Sequence, residues 1–335
     1  MNEFESVFVD LAIDKTKTKK VIDYSDLCVH RTNCAPYLVG ERIYEATSSV
    51  GLRDSQEDRF FMIPQFFNDQ TSCVGVFDGT VGNFASEFVN NNIVQQLCCS
   101  DFIKNEDFGL FSLNNGKCSM ASVAGMVSAC MKKLFNDVDC SLIEMCAEHN
   151  LHYTSCTGIT ALLWNNLLTI SHVGDSKACI AKIHENVLTT EWLTLDHKPN
   201  MPQELSRIEQ AGGSLVWLHD NKPFIRGGDF FTRQAAGDHP KQLNYSRAFG
   251  GKDLKKYGLS SEPDVNHFEI FPDDKLLLVA SDGLWDVLQP NIACEIAMKA
   301  KMNGKSATTE IVNTAVRMMP KVGVCDNITV IAIFL

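Results

Sequence analysis

The chain of 335 residues lacks most of the patterns that would fix a chemistry at once. No apolar run is long enough to span a bilayer, so no membrane-crossing segment is expected. The residue after Met1 is Asn, which removes the myristoylation pattern. No Cys-x-x-Cys pair occurs among the 13 cysteines, their number is odd, and no secretory signal precedes them. They lie mostly inside apolar runs, as at Cys73, Cys130, Cys146 and Cys294, and read as reduced core residues of a cytoplasmic protein rather than as zinc ligands. A P-loop is missing, and so is a Gly-x-Ser-x-Gly elbow. His172, His197 and His219 have no ligand spacing, and His197 reads as structural. Positive charge is scarce: 30 Lys and Arg stand against 41 Asp and Glu, for a net charge of −11. With no basic stripe, nucleic acid is not expected as a partner.

What the chain does have is apolar content, 45% of its residues, enough for a large core. Residues 1–43 stand apart, with a Lys15-Thr16-Lys17-Thr18-Lys19-Lys20 run and no long periodicity, and read as an N-terminal extension ahead of one body, 44–335. Four-residue repeats predict helices through Ala85, Val89, Ile93 and Leu97, through Val123, Val127, Met131 and Leu134, through Ile292 and Ile296, and through Ile311, Ala315 and Met319. Pro202 opens a shorter helix that Gly212-Gly213 stops. Apolar runs predict strands at 159–164, 167–173, 178–183, 276–280 and 328–334. Asn165-Asn166 is a hairpin signal, and 159–183 reads as an antiparallel meander. Helices and strands do not alternate strictly, which favours an α+β layered fold over a doubly wound parallel sheet. Residues 219–242, rich in Gly, Asp, His and Pro, read as a long surface loop or flap.

The strand ends carry the chemistry. Val76-Phe77-Asp78-Gly79 ends one apolar run on Asp-Gly, Ser281-Asp282-Gly283 ends another, Val173-Gly174-Asp175 a third, and Asp326-Asn327 introduces a fourth. Any one of these is an ordinary turn residue. Taken with Glu57, Asp58 and Asp286, they predict one acidic cluster at one edge of a β core, where uncompensated like charge is costly. An all-oxygen set suits Mg²⁺ or Mn²⁺. Arg53, four residues before Glu57, has the fork a phosphate needs, and a surface ion pair accounts for it equally well.

These segments resemble, in order, those of the metal-dependent protein serine/threonine phosphatases of type 2C, the PPM family. Arg53 through Asp58, Val76 to Gly79, Thr157 to Ala161, Val173 to Lys177, Leu193 to Pro199, Ser246 to Gly250, Glu262 to Asp264, Ser281 to Asp286 and Asp326 to Thr329 carry the likeness, over about residues 44–335. The resemblance implies a four-layer α-β-β-α sandwich, two stacked antiparallel sheets with helices outside. It implies two metal ions, with Asp78 bridging, Glu57 and the Gly79 carbonyl on one, and Asp282 and Asp326 on the other. Asp175 with Asp282 matches a third, weaker metal position. Asp58 would orient water, Arg53 would bind substrate phosphate, and a metal-bridging hydroxide would attack phosphorus in line. The substrates it implies are phosphoproteins, and a monomer is expected. Three positions depart from the pattern: Thr80 stands where the family usually has His, Val81 where Gly usually follows, and Gly251 where an Asp is usual. The same fold used as a catalytically dead binding module, a pseudophosphatase, is the competing expectation; retention of every metal carboxylate favours the enzyme. A two-metal nuclease is disfavoured by the acidic balance.

Overall fold

A computed structural model describes residues 33–66, 71–99, 120–218 and 221–335. The lysine run of the N-terminal extension lies outside them. The long strands are β1 Asn33–Val39, β2 Arg42–Ser49, β3 Arg59–Ile63, β4 Thr71–Phe77, β5 Gly158–Trp164, β6 Leu167–Val173, β7 Lys177–His184, β8 Val187–Trp192, β9 Ser214–Leu218, β10 Lys222–Arg226, β11 Asp264–Glu269, β12 Asp274–Ala280 and β13 Ile328–Phe334. The helices used below are α1 Phe84–Cys99, α2 Met120–Glu148, α3 Pro202–Gln210, α4 Phe230–Ala235, α5 Asp282–Trp285, α6 Pro290–Met302 and α7 Ala307–Val322.

Two antiparallel sheets form the centre, one in the order β1-β2-β13-β12-β7-β8 and the other β11-β6-β5-β4-β3. Alternate side chains of both face inward, and Tyr44, Val74, Val76, Ile159, Ile170, Ile180, Leu277, Val279 and Ile331 meet in the layer between them. The outward faces are covered by α1 and α2 on the five-stranded sheet, through Val89, Ile93, Val127 and Met131, and by α6 and α7 on the six-stranded sheet, through Ala293, Ala297, Ile311 and Ala315. The four-layer sandwich expected from the sequence is therefore the fold. β4, β5, β12 and β13 are buried on both sides almost throughout, which is why they read as continuous apolar runs rather than as alternating ones.

Several sequence expectations need correction. The six-stranded sheet begins at Asn33, so the body starts upstream of residue 44, and β1 and β2 belong to it. The stretch 159–183 is not one meander. β5 and β6 form a hairpin, with Asn165 left-handed at φ 52° as a two-residue turn requires. β7 then pairs with β12 and β8 in the other sheet. The crossing is made at Gly174, φ +91°, where a Cβ would sit 2.5 Å from the Thr157 side chain. In α6 the buried face is Ala293, Cys294, Ala297 and Ala300, and Ile292 is exposed. Of the two residues of the repeat, Ile296 is half-buried against this core and Ile292 is not, so the buried stripe runs through the small residues on the Ile296 side.

Residues 219–242 are not an irregular loop. The described part contributes β10, which pairs with β9, and α4. Arg233 anchors α4 by donating to Tyr153 Oη (2.8 Å), Asp253 (2.5 Å) and Asp238 (3.0 Å). Arg226 lies over the rings of Phe230 and Phe231 at 4.5 and 5.1 Å. Beneath this unit Ile208, Ile225, Leu243, Tyr245 and Leu259 form a separate small core.

Candidate metal centre

The acidic residues come from strand ends on one edge of the sandwich. Asp78 follows β4, Asp175 follows the β6 crossing, Asp282 starts α5 directly after β12, and Asp326 stands just before β13. α5 has no room for a side chain at its second residue: a Cβ on Gly283 would lie 1.9 Å from the Asn327 carbonyl oxygen. That close approach brings the Asp282 and Asp326 loops together. Glu57 and Asp58 arrive on the segment entering β3.

Asp58 is 2% exposed, and its Oδ2 accepts from Ser281 Oγ (2.8 Å) and Thr329 Oγ1 (2.7 Å). Its Oδ1 is buried without a hydrogen-bond partner among the described residues, and the same holds for Asp282 Oδ1. Such atoms are costly unless something else satisfies them. Burial, and then the charges of Asp282, Asp58, Asp326 and Asp175, hold Asp78 well above the ordinary carboxylate range. Asp282 is raised in the same way, by burial and then by Asp175 and Asp326. Asp58 is pushed up to about 7, chiefly by burial, against its two hydroxyl bonds. Asp326 is raised by burial and partly relieved by Arg53. The charges of Asp58, Asp78, Asp175, Asp282 and Asp326 thus meet in one electrostatic group.

Asn327 braces the group. Its Nδ2 donates to the Val50 and Ser55 carbonyls (3.0 and 2.8 Å), and its Oδ1 accepts from the Glu57 amide at 2.8 Å. Glu57 Oε2 takes the Gly82 amide at 3.0 Å, and its backbone carbonyl accepts from Ser86 Oγ. Arg53 is half exposed, with Nη2 3.2 Å from Asp326 Oδ1 and Nε donating to the Cys325 carbonyl at 2.6 Å. Asp286 lies at the rim, exposed and 3.4 Å from Lys222 Nζ. Asp175, 2% exposed, receives Lys198 Nζ on Oδ2. The sequence reading missed Asn327, Ser281, Thr329 and Lys198 as supports. The available signal was their place inside or beside the Asp-bearing segments.

The three departures take definite places. Thr80 pairs with Ser155 in a short antiparallel ladder, and Ser155 Oγ meets the buried Tyr245 hydroxyl at 2.9 Å. Val81 adopts φ 62° with 47% of its surface exposed. Gly251 is left-handed at φ +64°, and a Cβ there would lie 2.5 Å from Leu259 Cδ2, which would have to shift.

Three ligand atoms within 4.8 Å of one another occur, among the described residues, at His172, His197 and Asp264. This is not the predicted acidic group. The His172 and His197 rings stack at 4.6 Å. His197 Nδ1 accepts from the Gly174 amide at 3.1 Å, so its proton sits on Nε2, 3.3 Å from Asp264 Oδ2. An ion there would have to displace that proton, and as built the trio clamps the Gly174 turn that aims Asp175. Desolvation, and then His197, lower His172 to about 4, so it is neutral in the clamp.

A family model described as Protein phosphatase 2C matches residues 44–328. The chain belongs to the protein phosphatase 2C family. It is 32% identical over 303 residues to Probable protein phosphatase 2C 41 of Arabidopsis thaliana, covering 88% of this chain and 82% of that protein. Probable protein phosphatase 2C 56 of Oryza sativa subsp. japonica is 29% identical over 295 residues, with 88% and 71% covered. Among solved structures, a serine-threonine phosphatase 2C from Toxoplasma gondii superposes with TM-score 0.85 at 37% identity, over 92% of this chain and 98% of that one. A C. elegans sex determining protein, at 20% identity, TM-score 0.65, 87% of this chain and 64% of that one, shares the fold. The chain is accordingly a protein serine/threonine phosphatase, a hydrolase acting on phosphoproteins, of a metal-dependent family. No described helix is long and apolar enough to cross a membrane.

Proposed function

We propose that this phosphatase 2C hydrolyses phosphoserine and phosphothreonine with two Mg²⁺ or Mn²⁺ ions held by Glu57, Asp78, the Gly79 carbonyl, Asp282 and Asp326. The observation that carries the reading is the pair of buried, unsatisfied oxygens, Asp58 Oδ1 and Asp282 Oδ1, inside a group of mutually repelling carboxylates. Hard divalent cations satisfy that donor set, and His and Cys are not needed. When bound, the ions polarise the phosphoryl oxygens and make a water acidic enough to attack at neutral pH.

The chain's own residues do the rest. Asp58, tied at Oδ2, presents Oδ1 rigidly as a proton acceptor that orients the attacking water. Arg53 has Nε and Nη2 engaged, which leaves N–H donors of its fork for a substrate phosphate. Thr80, paired with Ser155 in a short ladder, is too weak an acid to protonate a serine alkoxide directly and passes a proton only through water. Residues 221–242, whose Ile225 shares a small core with Tyr245, are the segment we expect to meet the phosphoprotein substrate. The unbridged Cys179 and Cys294, with Sγ atoms 3.9 Å apart, suit a reducing compartment such as the cytoplasm, and we take the protein to act there as a monomer.

Asp282→Asn tests the site. It is expected to abolish Mn²⁺-dependent hydrolysis of phosphopeptides and of an aryl phosphate, to lose stabilisation by Mn²⁺, and to melt no lower than wild type in chelator because a repelling charge is gone. Wild-type turnover in that variant rejects the site.

A further inference from the structure

Asp175 differs from Asp58, Asp78 and Asp282 in having an ammonium against it. Lys198 Nζ donates to Asp175 Oδ2, and the lysine side chain is only 29% exposed. The neighbouring lysine, Lys177, is committed elsewhere, to Asp196 at 3.3 Å, so Asp175 is left to Lys198. Nor is Lys198 a loose surface residue that happens to reach a carboxylate. His197, just before it, donates its amide to the Gly174 carbonyl (3.0 Å) and accepts the Gly174 amide on Nδ1 (3.1 Å). The His197 carbonyl is held by both the amide (2.8 Å) and Oγ (3.0 Å) of Ser246. Pro199 restricts the backbone on the other side. The residue preceding the lysine is thus bonded twice to the residue preceding the aspartate, and the ion pair is built into the crossing between the sheets. Asp282 also acts on the ammonium, so the cation lies in the joint field of Asp175 and Asp282.

We propose that Lys198 is a tethered cation that holds the place of a divalent ion between Asp175 and Asp282, so that the chain loads two ions firmly and a third only by displacing the ammonium. This rests on the two-ion reading given above. The physical ground is charge balance. An incoming divalent ion gains the attraction of Asp175 and Asp282 only after the ammonium already neutralising Asp175 has been pushed into solvent. A neutral residue at 198 removes that competitor and leaves a buried carboxylate without a cation, which favours the ion further. Lys198 acts here through Asp175 and is a positioning residue.

The test reads ion binding rather than turnover. Mn²⁺ is titrated into the full chain and free Mn²⁺ is followed by its electron paramagnetic resonance signal, with metal-free and Mn²⁺-loaded melting temperatures measured alongside. Wild type is expected to bind two ions, with any third much weaker. Lys198→Met and Lys198→Gln are each expected to bind a third ion at least tenfold more tightly than wild type. Lys198→Gln keeps a donor to Asp175 without the charge, and it serves if the methionine variant does not fold. Lys198→Arg, which keeps the charge, is expected to follow wild type. Adding Asp175→Asn to Lys198→Gln is expected to remove the gained ion. In chelator the neutral variants should melt lower than wild type, and they should recover more on Mn²⁺ addition. Two ions in wild type with an identical isotherm in Lys198→Gln overturns the inference while leaving the two-ion reading intact. A wild-type chain that binds fewer than two ions overturns both.

Discussion

Removing divalent ions and raising the pH is expected to weaken the fold, and Asp58 sets the scale. This residue is 2% exposed, with two hydroxyl bonds on one oxygen and none on the other. Burial moves its ionisation from an ordinary 3.8 to about 7. Below pH 3.8 the carboxyl is protonated in folded and unfolded chains alike, and its contribution is fully present. Between 3.8 and 7 the folded chain keeps a proton that the unfolded chain has released, so stability falls as pH rises, and the loss is complete above 7. A gap of that size is worth about 4 kcal/mol, or roughly 8 °C in melting temperature at about 2 °C per kcal/mol for a domain this large. Asp78 and Asp282, raised by the same causes, add in the same direction. Thermal melts in chelator between pH 5 and pH 8.5, on wild type and Asp58→Asn, check the reasoning. The wild-type melting temperature should fall across the range. That of Asp58→Asn should fall less steeply and lie above wild type at the alkaline end, since its amide oxygen keeps both hydroxyl bonds without a charge. Mn²⁺ at pH 8.5 should raise the melting temperature of both chains, since the variant keeps Glu57, Asp78, Asp282 and Asp326, and should narrow the gap between them. A wild-type profile that is flat or rising between pH 6 and 8, or one that Asp58→Asn reproduces, would refute the account.

Glu204 behaves oppositely: although buried, it accepts from Arg207 (2.6 Å), Arg247 (2.7 and 3.0 Å) and Ser246 (2.6 Å), and these bonds outweigh desolvation and lower it to about 2. Its stabilisation is present above its ordinary 4.5 and is lost as pH falls towards 2, and Glu204→Ala, which leaves two arginines facing a void, is expected to cost about 3–5 kcal/mol in urea unfolding at pH 7. Val81 sits at φ 62° with its side chain largely in solvent, so Val81→Gly should raise unfolding free energy by about 1 kcal/mol, and an unchanged or lower value would show that the valine packs better than its exposure implies. Thr80→His supplies an acid for the leaving group. It should raise the phosphoserine rate, by at most about 10²- to 10⁴-fold, more than the aryl phosphate rate, and single-turnover measurements across pH that show equal changes would remove the missing-acid argument.

The sequence by itself determined the elements and the carriers of the chemistry. β4, β5, β12 and β13 are read from unbroken apolar runs because both faces of those strands are buried, and α1 and α2 from a four-residue period because one face of each is. The Asp residues stand out because each falls where such a run must end. These signals are local: burial and turn sterics act within a few residues of the chain. Beyond the β5-β6 hairpin that Asn165-Asn166 signals, the tertiary structure decided which strands are partners. The crossing at Gly174 sends β6 and β7 to different sheets, although a hairpin meander fits the same residues. It alone put β10 and α4 in the region that composition marks as loop, since Arg226 and Arg233 are held there by partners at Gln242, Tyr153 and Asp253. It alone set Arg53 on Asp326 and Lys198 on Asp175. An ion pair is chosen by distance and desolvation between groups far apart in the chain, and those are properties of the folded sandwich that no spacing along the sequence encodes.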